Sequence, residues 1–307
     1  MRPSPSSSSN AVTASVPQPR RILAVFNPAA GGERRGRFVR VVDAIRKLGG
    51  VVTIVETTAP GDAERIARDT AAQDFDIIAA AGGDGTVNEI INGLRDRDIP
   101  LGLIPLGTAN VLADEIGLGR DIDKVARALV SGAIKPIRVG RANGRRFTMM
   151  AGAGFDANVV DRVSLRLKKL IGPLAYVWQS AVQATTDRFE SCDVTIDGTA
   201  YKTVSVVACN GRRYGGPFIA APGASLSDDC FHILLMSGRG WLSVLRYGLG
   251  LMLGRLTTLH DVRLVTGRDM TVRGNTSQPV QADGDIVAHL PLTVTIDPVP
   301  VRLVHPA

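Results

Sequence analysis

Short apolar runs alternate with amphipathic segments through the first half of the chain. The apolar runs have the length of strands and occupy residues 21–26, 51–55, 76–80 and 99–104. Apolar residues recur at helical spacing at Val39, Val42, Ile45 and Leu48, and again within residues 63–72, 111–116 and 122–129. This alternation predicts an α/β domain over residues 21–137, with a parallel sheet covered by helices on both faces.

The pattern changes after residue 137, where strand-like runs dominate. They occupy residues 145–151, 192–196, 203–209, 231–236, 260–265, 270–273, 279–282 and 292–296. The pairs Asp197-Gly198 and Asp283-Gly284 are typical of hairpin turns. These features predict an antiparallel β-sandwich-type domain over residues 138–298, with helices near residues 157–185 and 241–256. A last strand within residues 299–307 could return to the first domain.

The composition suits two such domains in one chain. Of the 307 residues, 45% are hydrophobic and 21% charged, so each half can bury its own core. The net charge of +7 indicates an anionic partner, such as a nucleotide or an anionic lipid surface. Aromatic residues make up only 5% and do not alternate with basic ones as in base-stacking surfaces, so we expect no nucleic acid. The three cysteines, Cys192, Cys209 and Cys230, form neither a zinc pattern nor a disulfide framework.

The N-terminal segment and the length of the apolar runs indicate the cellular location of the protein. Residues 1–20 are rich in Ser and Pro and contain no apolar core of a secretory signal, so we expect a disordered tail. No apolar stretch is long enough to span a bilayer. We therefore expect a cytoplasmic protein.

The segment at residues 82–89 carries the strongest chemical signal. It reads Gly-Gly-Asp-Gly-Thr-Val-Asn-Glu and stands between a buried strand and a helix. Glycines let the backbone approach a phosphate, and free N–H groups at a helix start point toward it. Asp84 could hold a phosphate-bound metal or a metal-bound water there. The alternative is a tight strand-to-helix turn with Thr86 as its N-cap.

This segment resembles the signature of the diacylglycerol kinase catalytic-domain family, which includes bacterial lipid kinases and the eukaryotic diacylglycerol, sphingosine and ceramide kinases. NAD kinases and phosphofructokinases carry a related Gly-Gly-Asp loop. Residues 27–31 resemble the family's Asn-Pro-x-x-Gly loop, and residues 105–110 its Pro-x-Gly-Thr-x-Asn loop. Further matches at residues 152–157, 210–216, 221–229 and 281–285 continue the resemblance in order. It implies a Rossmann-like first domain of the NAD kinase and phosphofructokinase type. ATP would bind in the cleft between this domain and the β-sandwich-type domain.

The resemblance also implies the site residues. Asp84 would organise phosphate or metal, and Asp285 stands where the family has its catalytic Glu, the base that activates the lipid hydroxyl. The alternative for Asp285 is a polar hairpin tip without a catalytic role. The implied nucleotide-binding residues are Asn27, Pro28, Gly31, Thr57, Gly82, Gly83, Asp84, Gly85, Thr86, Asn88 and Thr108. For Arg34, Arg35 and Arg37, a solvated helix face and phosphate contacts both remain open.

A magnesium site of the bacterial enzymes carries over onto three positions. They are the side chain of Asp229 and the backbone carbonyls of Leu226 and Phe231, an oxygen-only set that suits Mg²⁺. Cys230 stands where the family has Gly. A turn that required positive φ would accept Cys poorly, which leaves this site open.

The resulting hypothesis is an ATP- and Mg²⁺-dependent lipid kinase that associates peripherally with the membrane. Residues 161–170 alternate basic and apolar side chains and are the first candidate for lipid contact, with Trp241, Leu242 and Leu245 as the second. The alternatives are an NAD kinase-like enzyme and a catalytically weak lipid- or nucleotide-binding regulator. The identity of the lipid and the existence of a homodimer stay open.

Overall fold

The computed structural model describes residues 19–28, 32–95, 97–154 and 190–306. The predicted tail up to residue 18 and the predicted helix near residues 157–185 lie outside these residues. The first part of the chain contains β1 (Arg21–Phe26), α1 (Gly32–Lys47), β2 (Val51–Glu56), α2 (Asp62–Asp69), β3 (Ile77–Gly82), α3 (Asp84–Gly93), β4 (Leu101–Pro105), α4 (Val111–Glu115), α5 (Ile122–Ser131) and β5 (Ile134–Ile137).

These elements build a six-stranded sheet, the first sheet, in the order β2-β1-β3-β4-β18-β5. β18 is the last strand of the chain (Val301–Val304), and it runs parallel to β4 and antiparallel to β5. The four strands β2, β1, β3 and β4 are parallel to their neighbours. Helix α1 packs with α5, whereas α2 packs with α3. Right-handed crossovers on either side of β1 put these two pairs on opposite faces of the sheet.

The buried face of α1 includes only part of the apolar pattern noted in the sequence. Its buried side chains are Phe38, Val41, Val42 and Ile45, and the Phe38 ring stacks on Phe26 with centroids 4.2 Å apart. Val39 and Leu48, the first and last apolar residues of the helical spacing noted in the sequence, are 49% and 48% exposed. A strict three-residue spacing drifts by about 60° around a helix at each step, so its two ends leave the buried face.

The rest of the chain forms two further sheets. The elements are β6 (Gly140–Ala142), β7 (Arg145–Phe147), β8 (Met150–Ala153), β9 (Cys192–Ile196), β10 (Thr199–Thr203), β11 (Ser205–Cys209), β12 (Phe231–Met236), α6 (Trp241–Met252), a 3₁₀ turn (Leu256–Thr258), β13 (Val262–Gly267), β14 (Asp269–Arg273), β15 (Pro279–Ala282), β16 (Asp285–His289), β17 (Leu292–Ile296) and β18. The second sheet has the order β10-β9-β14-β17-β6-β7, and the third has the order β13-β12-β11-β8-β15-β16.

The second and third sheets are antiparallel and bury one apolar core between them, which contains Phe147 from the second sheet and Phe231 from the third. Their ring centroids are 5.8 Å apart. This arrangement confirms the predicted combination of an α/β domain and a β-sandwich. Among the described residues, no helix is long and apolar enough to cross a membrane.

Two predicted strands are each divided in the structure. The run at residues 145–151 forms β7 and β8, and the run at 203–209 ends β10 and forms β11. In both cases the chain crosses from the second sheet to the third. Thr148, Met149 and Val204 at the crossings are buried. Because no exposed polar residue marks the crossing, the sequence pattern appears continuous.

Candidate active site

Two glycine loops meet backbone to backbone at the carboxyl ends of β3 and β4. The N–H groups of Leu106 and Gly107 donate to the carbonyl of Gly82, at 2.9 and 3.1 Å. A Cβ on Gly107 would come within 2.5 Å of the Gly83 Cα, so a side chain there would separate the loops. The loops at residues 82–86 and 105–110 therefore form one continuous surface, at the sheet edge where α/β folds bind ligands.

Asp84 holds the two loops together. Its Oδ2 accepts from the N–H of Asn110 at 2.9 Å, and its Oδ1 accepts from the N–H of Val111 at 2.7 Å. The carboxylate thus caps the start of α4. Burial and the nearby charge of Asp283 raise the pKa of Asp84 to about 6, although the N–H groups of Val111 and Asn110 oppose the rise. Since both carboxylate oxygens serve the backbone, this geometry makes Asp84 a residue that positions the loops.

The loop after β1, which begins with Asn27, lies beside the glycine loop at residues 82–86. The Asn27 side-chain amide donates to Thr86 Oγ1 at 3.4 Å, and Pro28 follows directly. The Thr57 N–H donates to the carbonyl of Phe26 at 2.9 Å, so Thr57 is buried at the end of the neighbouring strand. Helix α3 begins at Asp84 with Gly83 as its N-cap residue, which puts Thr86 inside the first turn rather than at the cap. Gly31 lies outside the described residues.

Asn88, one of the predicted nucleotide-binding residues, is buried. Its side-chain amide donates to the carbonyl of Arg146 at 3.2 Å and to Asp283 Oδ2 at 3.3 Å. Asn88 therefore connects α3 to the β-sandwich.

The Asp283 carboxylate is the centre of this connection. It accepts from the N–H groups of Thr148, Met149 and Met150 at 2.7, 2.8 and 3.1 Å, and from Thr148 Oγ1 at 3.0 Å. Asp283 has a φ of 49°, as the predicted Asp-Gly hairpin turn requires. The sequence indicated that turn but gave no sign of these partners.

Asp285 follows that turn and lies next to the glycine loop. A Cβ on Gly85 would be 3.5 Å from Asp285 Oδ2. Gly85 belongs to the first turn of α3, where the helix dipole favours a negative group. The structure thus brings the proposed base and the glycine loop together, although they lie in different domains.

The far end of α3 is also fixed by the β-sandwich. Arg146 donates from Nη1 to the carbonyl of Ile91 at 3.2 Å and from Nε to Asp297 Oδ2 at 2.7 Å. Both side chains of this ion pair are buried. Burial alone would raise the pKa of Asp297, but hydrogen bonds from Arg146 and Arg141 hold it below its ordinary value. Sequence reasoning missed this pair, because neither residue belongs to a recognisable motif.

Basic side chains lie around Thr108 on the loop at residues 105–110. Arg34 Nη2 lies 3.3 Å from Thr108 Oγ1, and Arg120 donates to the Thr108 carbonyl. Burial and the charge of Arg120 lower the pKa of Arg37 on the same helix as Arg34. Arg35 points elsewhere, since it pairs with Glu56 at 2.6 Å. The loop surface is therefore electropositive and suited to an anion.

Comparisons with known proteins identify the family of the chain. The family model of the diacylglycerol kinase catalytic domain matches residues 21–142, and that of the YegS C-terminal NAD kinase beta sandwich-like domain matches residues 149–305. The "Diacylglycerol kinase" of Bacillus subtilis (strain 168) is 30% identical over 280 residues, which cover 89% of this chain and 92% of that protein. The chain belongs to the diacylglycerol kinase catalytic-domain family.

Other relatives of this diacylglycerol kinase-family chain point the same way. A "Probable lipid kinase YegS-like" of Pseudomonas aeruginosa (strain UCBPP-PA14) is 32% identical over 223 residues, covering 70% of this chain and 72% of that protein. A crystal structure of a diacylglycerol kinase from Bacillus anthracis str. Sterne shares the fold, with a TM-score of 0.70 at 22% identity and coverage of 93% and 97%. Family membership supports lipid kinase activity.

The magnesium site that the diacylglycerol kinase family implies does not fit the structure at the expected positions. Asp229 lies 2.8 Å from a guanidinium nitrogen of Arg268 and 3.6 Å from one of Arg138. The Leu226 carbonyl accepts from the N–H of Arg138 at 2.7 Å, and Phe231 opens β12. Two guanidinium groups repel a cation. Within the described ranges, no three His, Cys, Asp or Glu residues are grouped to hold a metal.

Proposed function

We propose that this chain is an ATP-dependent lipid kinase that transfers the γ-phosphate to a hydroxyl of diacylglycerol or a related lipid. The observation that carries the proposal is the position of the Asp285 carboxylate, 3.5 Å from where a Cβ on Gly85 would lie. A carboxylate beside a phosphate-type glycine loop provides two of the parts that such a transfer needs. Membership of the diacylglycerol kinase family supports lipid kinase activity in this chain.

The nucleotide would bind along the paired glycine loops. The N–H groups at the start of α3 would face the phosphates, and Arg34 and Arg120 would neutralise charge beside Thr108. We assign direct nucleotide contacts to Asn27, Pro28, Thr57, Gly82, Gly83, Gly85, Thr86 and Thr108. Asp84 and Asn88 would act by positioning, since their polar atoms bind other parts of the chain.

The chemistry assigned to the chain is one proton transfer and one phosphoryl transfer. Asp285 accepts the proton of the lipid hydroxyl while that oxygen forms a bond to the γ-phosphorus. The bond between the γ-phosphorus and the bridging oxygen breaks, and ADP leaves. Asp285 is exposed, so an acceptor can approach it from solvent or from a lipid surface.

The test is transfer of label from γ-labelled ATP into a panel of lipids in mixed micelles with magnesium. The variants are Asp285→Asn and, as the matched control, Asp193→Asn, which changes an exposed carboxylate in β9. A labelled lipid that is lost with Asp285→Asn and kept with Asp193→Asn supports the proposal. Formation of NADP from NAD and ATP would support the NAD kinase-like alternative. Binding of ATP and liposomes without turnover would support the regulator.

A further inference from the structure

Helix α6 is apolar on both of its sides. Its inner side chains Tyr247 and Leu251 share a core with Leu234 and Met236, which point away from the interior of the sandwich. Its outer face also presents large apolar side chains, with exposed fractions of 62% for Leu242, 50% for Leu249, 47% for Met252 and 71% for Leu253. At 100° per residue these four form one stripe. A helix that is apolar all round is normally covered on both sides.

The orientation of this stripe is fixed by polar contacts beneath the helix. The Tyr247 hydroxyl donates to Asp261 Oδ2 at 2.6 Å and accepts from the N–H of Gly238 at 2.7 Å. Arg246 pairs with the same carboxylate. Burial and the hydrogen bond to Asp261 raise the pKa of Tyr247 to about 12, so the hydroxyl keeps its proton. Since α6 cannot roll without breaking this group, its apolar face is held toward solvent.

Positive charge borders the stripe at both ends. Arg239 precedes α6 and Arg255 follows it, both are exposed, and neither forms an ion pair within the part of the chain that the structure describes. Helix α6 itself contains no acidic residue. On the edge strand β13, Leu264 pairs with Leu234 and therefore lies on the same side of the third sheet, where it is 36% exposed. The surface combines an apolar stripe with cations at its margins.

This combination matches the interface of an anionic bilayer. There an apolar helix face enters the boundary between headgroups and acyl chains, while arginines stay at the phosphates. Covering the stripe with the α6 of a second chain about a two-fold axis would bring Arg239 toward the Arg255 of the other copy, so like charges would meet.

We propose that the outer face of α6 docks this protein on an anionic lipid bilayer. The inference rests on the proposed function, because a lipid kinase finds its acceptor in such a surface. Docking itself requires no turnover and can be measured separately. We define this α6 surface by Leu242, Leu249, Met252 and Leu253 with Arg239 and Arg255.

The experiment is sedimentation of the full chain with vesicles of phosphatidylcholine alone or mixed with phosphatidylglycerol. The double variant Leu249→Glu, Leu253→Glu should reduce binding to the mixed vesicles by about tenfold or more. The matched control, Val39→Glu with Leu48→Glu, changes two similarly exposed apolar residues at α1 and should leave binding unchanged. Arg239→Gln and Arg255→Gln should each weaken binding by about fivefold, and only to the anionic vesicles.

Three results would overturn the docking proposal. One is equal vesicle binding by the α6 double variant and the α1 control. Another is a wild-type dimer in light scattering that the α6 variant converts to a monomer, which would make the face an interface between two copies. The third is a lower melting temperature for the α6 variant alone, which would show that the face is covered within the chain.

A water-soluble short-chain diacylglycerol separates docking from catalysis. The α6 double variant should phosphorylate this substrate at the wild-type rate and lose activity only on vesicles. If the wild type phosphorylates no lipid yet binds anionic vesicles through α6, the proposed function fails and the docking surface stands. If it phosphorylates the soluble lipid but α6 does not affect vesicle binding, the docking inference alone fails.

Discussion

The Asp285 carboxylate faces Gly85 so closely that a Cβ built on the glycine would lie 3.5 Å from Oδ2. That distance is an ordinary van der Waals contact, so Gly85→Ala should fold, and alanine within a helix should even stabilise the protein by about 0.5–1 kcal/mol. The added methyl group occupies the space in which we place the γ-phosphate. We therefore expect phosphoryl transfer to fall by about tenfold or more.

The matched control is Gly36→Ala in α1, where a Cβ would meet no atom within 4 Å. It should stabilise the protein without changing the rate. Thermal melting and label transfer from ATP measure both effects for the two variants. Wild-type activity in a well-folded Gly85→Ala variant would contradict the placement of the γ-phosphate next to Gly85.

The sequence reveals the parts of the site whose causes are local. A buried strand, a glycine turn and a helix start are adjacent in the chain, so the loops around Asn27, Gly82 and Thr108 could be predicted, as could their common sheet edge. The contact of Asn88 with Asp283 joins positions 195 residues apart, and that of Arg146 with Asp297 joins positions 151 apart. Neither pair changes the local pattern, so both escaped prediction.

The same reasoning explains the outcome at Asp84. Its place in the glycine loop suggested a group that reaches toward phosphate or metal. The structure gives its carboxylate two backbone N–H groups from the loop after β4, and those donors exist only once the two loops have met. A residue type within a motif indicates the chemistry that is available, whereas the tertiary contacts decide what the side chain does.

Asp283→Asn should weaken the connection between the domains. The asparagine amide can accept fewer of the N–H groups of Thr148, Met149 and Met150, and its own NH₂ group would face donors. We expect a loss of about 3 kcal/mol in the free energy of unfolding, measured by urea denaturation. Transfer activity should fall as well, because the turn that carries Asp285 loses its anchor.

Asp197→Asn provides the matched control for this prediction. Asp197 begins the other Asp-Gly hairpin turn with a φ of 45° and accepts from the N–H of Asp269 at 2.9 Å, but it is exposed. Its replacement should cost less than about 1 kcal/mol and leave activity intact. Equal losses for the two variants would show that Asp283 serves only its own turn.

Arg34→Ala should weaken the binding of ATP. Arg34 Nη2 lies 3.3 Å from Thr108 Oγ1 on the loop at residues 105–110, so its charge is available to a phosphate bound at that loop. We expect the KM for ATP to rise by about tenfold with little change in kcat, and the KM of the wild type to rise with ionic strength. Arg35→Ala is the control, because Arg35 pairs with Glu56 on the neighbouring strand. Identical KM values for the two variants would show that Arg34 belongs to the solvated face of α1 and does not contact ATP.

The pKa of Asp84 predicts a specific dependence of stability on pH. Its ordinary value is 3.8, and burial raises it to about 6 in the folded protein. Between these values the folded state binds the proton more tightly than the unfolded state, so the contribution of Asp84 is greatest below pH 4 and is lost as the pH rises through 6. Each pH unit in that window is worth about 1.4 kcal/mol, which gives a total near 3 kcal/mol.

The measurement is the difference in the free energy of unfolding between wild type and Asp84→Asn from pH 4 to pH 7. Asparagine does not titrate, so subtraction isolates Asp84, and the wild type should lose stability relative to the variant as the pH rises. Asp62→Asn should show almost no change over this range, because hydrogen bonds from Thr58 lower the pKa of Asp62 and confine its effect on stability to pH values below about 4. A difference that stays constant with pH would mean that Asp84 is ionised throughout, and that the N–H groups of Asn110 and Val111 outweigh its burial.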